Sequence, residues 1–96
     1  MRATKRKVKA LKVRPGSALA KYFAVQLLER RQACGFSQEE LARIASCSTS
    51  HISQLERGRR IPSLGNIEAI AKALRVSDPR AMFGEVTEIY NVTVPA

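Results

Sequence analysis

Tryptophan is absent from this 96-residue chain and aromatic side chains make up only 5 % of it, so its core must be aliphatic, a condition that small helical bundles meet. Two cysteines are too few for a disulfide framework and fit a reducing compartment. No apolar run approaches the roughly 20 residues that cross a bilayer, and the basic amino terminus lacks the apolar segment of a signal peptide. The expectation is a soluble, cytoplasmic protein. There is no glycine-rich phosphate loop, and the serine-rich run around His51 has no acid beside it to orient a base. Glu39 and Glu40 fit capping and helix-dipole roles instead. Neither an enzyme nor a bound cofactor is expected. Cys34, Cys47 and His51 form a C-x12-C-x3-H pattern, one ligand short of a zinc site. Two core thiols are the simpler reading, so no metal is expected.

Acidic residues are also missing from positions 1–16, and what occupies that stretch is informative. Arg2, Lys5, Arg6, Lys7, Lys9, Lys12 and Arg14 give it seven positive charges of a net +9, while the remaining ten basic and eight acidic residues nearly cancel. The excess charge, which suits a polyanionic partner, therefore sits in an arm ahead of a near-neutral domain. Pro15-Gly16 marks a turn at its end. A solvated tail, a short edge strand and a segment ordered on nucleic acid all remain open for the arm.

The pattern from Ser37 to Gly58 reads as two short helices joined by a tight turn. Ser37 with Glu40 makes a capping box, so a helix starts at Gln38 and ends near Ala45, and Leu41, Ala42 and Ala45 face the core. Ser48 caps a second helix, Thr49 to Arg57, which Gly58 stops. At about 100° per residue, with Thr49 at zero, Ile52 and Leu55 fall near 300° and 240° and form a buried edge. Thr49, Ser50, Ser53, Gln54 and Arg57 fall between about 0° and 140°. That outward sector holds hydroxyls, an amide and a guanidinium, and no carboxylate. Any surface helix has a polar outer face, but an acid-free one following a tight turn suits a polyanion.

Upstream, Ser17 caps a helix over Ala18 to Cys34 that Gly35 closes, with Phe23, Leu27, Arg31 and Cys34 on one face. Tyr22, Val25 and Leu28 lie on another face, and three apolar residues there imply a cover. Downstream, Ser63 caps a helix with Ile67, Ile70, Ala71 and Leu74 at helical spacing. Ser77 or Asp78 then caps a short fifth helix with Pro79 at its first position, and Phe83 plugs the core before Gly84. In the last twelve residues Val86, Glu88, Tyr90, Val92 and Val94 alternate with Thr87, Ile89, Asn91 and Thr93, which predicts a β-strand. A lone strand needs a partner, either the arm or the same strand of a second copy. The second arrangement makes Val86, Tyr90, Val92 and Val94 dimerisation residues.

Arg31, Gly35, Ser37-Gln38, Leu41-Ala42, Ile52-Ser53, Glu56, Gly58 and Pro62-Ser63, at consistent spacing from Leu27 to Phe83, resemble the helix-turn-helix domain of the lambda and 434 repressor and Cro type, the XRE family. The resemblance implies a mainly α, five-helix lambda-repressor-like DNA-binding domain at residues 17–84, here flanked by the basic arm (1–16) and the strand (85–96). It implies that Gln38 anchors a phosphate and that Thr49, Ser50 and Gln54 read bases, Gln54 through adenine N6 and N7. Ser53 and Arg57 are second base-contact candidates, while Arg57, Arg59 and Arg60, flanking the helix end where the backbone passes, are expected on phosphate rather than on a base. The resemblance pairs Arg31 with Glu56 to hold the recognition helix. Ser46 departs from the family's usual turn glycine. The implied function is a DNA-binding transcriptional regulator, in the default case a repressor, acting as a homodimer on a palindromic operator. An antitoxin that binds a toxin and represses its own operon is the alternative. The near-neutral domain and the shortage of aromatic stacking groups weigh against RNA.

Overall fold

The structure is a computed structural model and describes residues 14–83. Four α-helices, α1 (Ala18–Cys34), α2 (Gln38–Ile44), α3 (Thr49–Glu56) and α4 (Leu64–Ala73), are followed by a 3-10 turn over Pro79–Phe83. No strand occurs among the described residues. The predicted strand, its residues Val86, Tyr90, Val92 and Val94, and most of the arm lie outside them.

Each α-helix starts and stops by the same two devices. Ser17, Ser37, Ser48 and Ser63 each stand at the N-cap in extended backbone and accept a hydrogen bond from the amide three residues on. Such a cap contributes about 1 kcal/mol by satisfying an amide that the helix leaves unpaired. At the other end, a residue in the left-handed region turns the chain back, at Gly35 (φ 75°), Ser46 (φ 59°), Gly58 (φ 71°) and Arg75 (φ 62°). After each, the next amide reaches back over the last turn: Phe36 to the Arg31 carbonyl, Cys47 to Ala42, Arg59 to Gln54 and Val76 to Ala71. This is the Schellman arrangement. Glycine occupies two of the four positions without steric cost, whereas Ser46 and Arg75 carry a Cβ into a region that disfavours it.

The helices enclose one aliphatic core of Phe23, Leu27, Leu41, Ala42, Ala45, Ile52, Leu55, Ile70, Ala71, Leu74 and Met82. α3 is held between α1 and α2, and the 3-10 turn closes the base against α1 and α4. Two expectations are corrected here. The fifth helix is a 3-10 turn, because five residues leave no room for α-helical propagation and the bond from the Ala81 amide to the Asp78 carbonyl (2.9 Å) sets a three-residue repeat. That repeat aligns Met82 with Pro79, so Met82 fills the core. Phe83 packs against that core from a half-buried position, its ring centroid 5.2 Å from that of Phe23. Cys34 is exposed, since it is the last residue of α1 at the rim, and its Sγ lies 3.8 Å from the Leu74 carbonyl oxygen. Cys47 is half-buried against the core, where loss of water pushes its thiol pKa up. On the second face of α1, Tyr22 and Leu28 are half-buried and Val25 is 51 % exposed.

Candidate nucleic-acid interface

α3 is anchored by Ile52 and Leu55, both completely buried. Burying two such side chains contributes roughly 3–6 kcal/mol and fixes the rotation of the helix. That rotation leaves Thr49 and Ser50 exposed, with Ser53 and Gln54 half-buried on the flank of the same face and Arg57 exposed at the C-cap. Arg57, Arg59 and Arg60 cluster at the C-terminal end, where unpaired carbonyls favour positive charge.

Behind this face lies a charged bracket. Arg31 Nε and Nη2 both donate to the Glu56 carboxylate, the latter at 3.1 Å, and Arg31 Nη1 donates to the Phe36 carbonyl at 2.7 Å. Gln38 Nε2 donates to Glu56 Oε1 at 2.8 Å. One carboxylate thus ties together α1, the first residue of α2 and the end of α3. The Arg31 and Glu56 side chains are only 12 % and 6 % exposed, so each depends on the other to offset its desolvation. At the start of α2, the Ser37 amide donates to the Glu40 carboxylate at 2.8 Å and holds the Glu40 pKa below its usual range.

Two contacts among the predicted site residues were not visible in the sequence. Arg60 Nε donates to Gln54 Oε1 at 2.7 Å, so the guanidinium fixes the amide with its NH2 free to donate. The six-residue separation crosses a helix end, and no helical periodicity would join the two. Gln38, expected on a phosphate, spends one amide N–H on Glu56 and keeps the other. His51, at the edge of α3, meets the side-chain amide of Asn66 in the first turn of α4. Partial burial, and secondarily the charge of Arg60, lower its pKa. Among the described residues no group of histidine, cysteine, aspartate or glutamate side chains is arranged to hold a metal, and no helix is long and apolar enough to cross a membrane.

The helix-turn-helix family profile matches residues 27–79, more than half of the chain, beginning in the middle of α1 and ending at the 3-10 turn. The chain belongs to the XRE-type helix-turn-helix family. An uncharacterised HTH-type transcriptional regulator of Sinorhizobium fredii is 45 % identical over 49 residues, which is 51 % of this chain and 25 % of the relative. The chain therefore spans about a quarter of that relative's length. Among solved structures, the restriction-modification controller protein C.AhdI of Aeromonas hydrophila is 41 % identical, with a TM-score of 0.64 over 67 % of this chain and 96 % of the controller. A hypothetical transcription factor from Neisseria is 30 % identical, with a TM-score of 0.67 over 91 % of this chain and 98 % of that one. These relatives carry the names of a transcriptional regulator, a restriction-modification controller and a hypothetical transcription factor.

Proposed function

We propose that the chain is a sequence-specific regulator of transcription that binds duplex DNA through α3, as a homodimer on a near-palindromic operator, with repression by occupancy as the default mechanism. The observation that carries this reading is the outward face of α3, acid-free and polar, opposite two fully buried anchors. At about 1.5 Å per residue α3 is roughly 12 Å long, matched to a major groove about 12 Å wide. Thr49 offers a methyl to thymine, Ser50 and Ser53 offer hydroxyls, and Gln54 engages adenine N6 and N7. Arg57, Arg59 and Arg60, with the second amide N–H of Gln38, hold the flanking phosphates and set the register. In a dimer the two α3 helices would enter successive major grooves on half-sites about 34 Å apart.

The 41 % identity to a restriction-modification controller across nearly its full length supports a regulator of that kind. Nothing in the described residues favours toxin binding. Selection of the full chain on a pool of randomised duplexes at physiological salt tests the proposal. It predicts an enriched inverted repeat, and an unenriched pool would overturn it.

A further inference from the structure

The left-handed turn at Gly58 (φ 71°) does more than stop α3. It folds the chain back along the helix, where the Arg59 amide donates to the Gln54 carbonyl at 3.0 Å. The turn is itself pinned, because the Gly58 carbonyl accepts from the Gly16 amide at 2.9 Å at the start of α1. Gly58 is buried there, and a Cβ on it would lie 3.8 Å from Lys21 Cγ. Residue 60 therefore leaves a fixed turn beside the end of α3, and Arg60 Nε donates to Gln54 Oε1 at 2.7 Å. The same charge is felt one turn earlier: after burial, Arg60 is the second cause that lowers the His51 pKa. Both observations lay the guanidinium along the Gln54 edge of α3, a placement that an arginine serving phosphate alone does not need. Gln54 is half-buried and Arg60 exposed, so Nη1 and Nη2 are left at the outer end of the side chain.

We infer that Arg60 reads a base as well as holding phosphate: its Nη1 and Nη2 donate to O6 and N7 of a guanine at the base pair adjoining the one read by Gln54. This rests on the reading of α3 as the helix that enters the major groove, and widens the face of that helix by one base pair. The bond to Gln54 sets what each side chain can still do. An amide oxygen has two lone pairs, so Oε1 accepts from Arg60 and keeps one for adenine N6, while Nε2 donates to N7. A guanidinium has donors only. Adenine or cytosine at the adjoining position would set an amino donor against it, and thymine offers a single acceptor beside its methyl. Guanine presents two acceptors on one edge, matched to a planar fork that Nε already holds in place. The side chain is ordered before DNA arrives, so less rotamer entropy is lost on binding. N–H groups remain over for the phosphate.

The test titrates the full chain, Gln54→Ala and Arg60→Ala by fluorescence anisotropy against a selected operator, each of its single-base-pair variants and a scrambled duplex, over a series of KCl concentrations. Helix content by circular dichroism checks that both variants fold. Gln54→Ala marks the base pair that Gln54 reads. Arg60→Ala should relax preference at that pair and at one neighbour, where the selected operator has guanine on either strand. The same operator made with 7-deazaguanine at that neighbour lacks the N7 acceptor and leaves the protein unaltered. Wild type should bind it about tenfold more weakly, whereas Arg60→Ala should bind it and the unmodified operator alike within about twofold. An operator with no guanine at either neighbouring pair, a wild-type chain indifferent to 7-deazaguanine, or an Arg60→Ala loss equal on every sequence would each overturn the inference and leave Arg60 on phosphate alone. Those outcomes leave the reading of α3 standing as long as Gln54→Ala relaxes its own pair. A wild-type chain that does not distinguish operator from scrambled duplex would instead overturn the reading of α3.

Discussion

Ser46 occupies a position whose backbone suits glycine. Its φ of 59° places a Cβ against the neighbouring carbonyl, a conformation that costs roughly 1–2 kcal/mol outside glycine. The bonds from Ser46 and Cys47 back to Arg43 and Ala42 hold it there because they close α2 and set the turn into α3. Ser46→Gly is therefore expected to raise stability by about 1 kcal/mol, or roughly 4–8 °C in Tm. Ser46→Val, β-branched, should lower it, and thermal denaturation of the two variants checks both signs. The contact between Arg60 and Gln54 gives a second expectation at this scale. If the guanidinium orients the amide, Arg60→Ala should weaken base preference at the pair read by Gln54 as well as phosphate binding. The double variant should then lose less than the sum of the singles, as residues in contact do. Additive losses in competition binding would show that the two act independently.

Among the elements, α3 depends on the bracket behind it. Removing Glu56 strands a guanidinium that is only 12 % exposed, so Glu56→Ala should cost about 3 kcal/mol by denaturant titration, several times the worth of an exposed pair. The exposed pair of Arg80 and Asp78 serves as the internal control, and Arg80→Ala, which keeps the bond from the residue-80 amide to the Asp78 carboxylate, should cost far less than Glu56→Ala. His51 adds a pH dependence to the contact between α3 and α4. Its pKa is lowered in the fold, chiefly by burial, so the unfolded chain takes up a proton at a higher pH than the native one. Its contribution is intact above the unfolded value near 6.5 and declines as pH falls through that value toward the folded pKa. His51→Gln should flatten the stability profile in that window, and an unchanged profile would exclude His51 as its source. The helices were legible in the sequence because serine caps, the Ser37–Glu40 box and the glycine stops are local signals. Every α-helix starts at its predicted residue, and α3 ends one residue early because Arg57 is its cap. What was hidden depends on distance or on a change of helical repeat. The Arg60–Gln54 and Gly16–Gly58 contacts join segments with no shared periodicity, and Met82 joins Phe83 against the core as the fully buried residue of a last turn that winds at three residues.

For the whole molecule, the charge of the sequence beyond residue 16 is nearly balanced, so binding through α3 is expected to come from geometry more than from net charge. The operator reading also requires two copies. Sedimentation of the full chain at micromolar concentration is expected to show a dimer, and a monodisperse monomer would count against the paired half-sites. The central claim is that the outward face of α3 reads base edges. It is tested most directly by titrating the full chain and Gln54→Ala against the selected operator and each of its single-base-pair variants, at several salt concentrations. The account predicts a loss of about 1 to 3 kcal/mol on the intact operator and relaxed preference at one base pair in each half-site, with the salt slope and the other positions unchanged. A loss spread evenly over all sequences would contradict it.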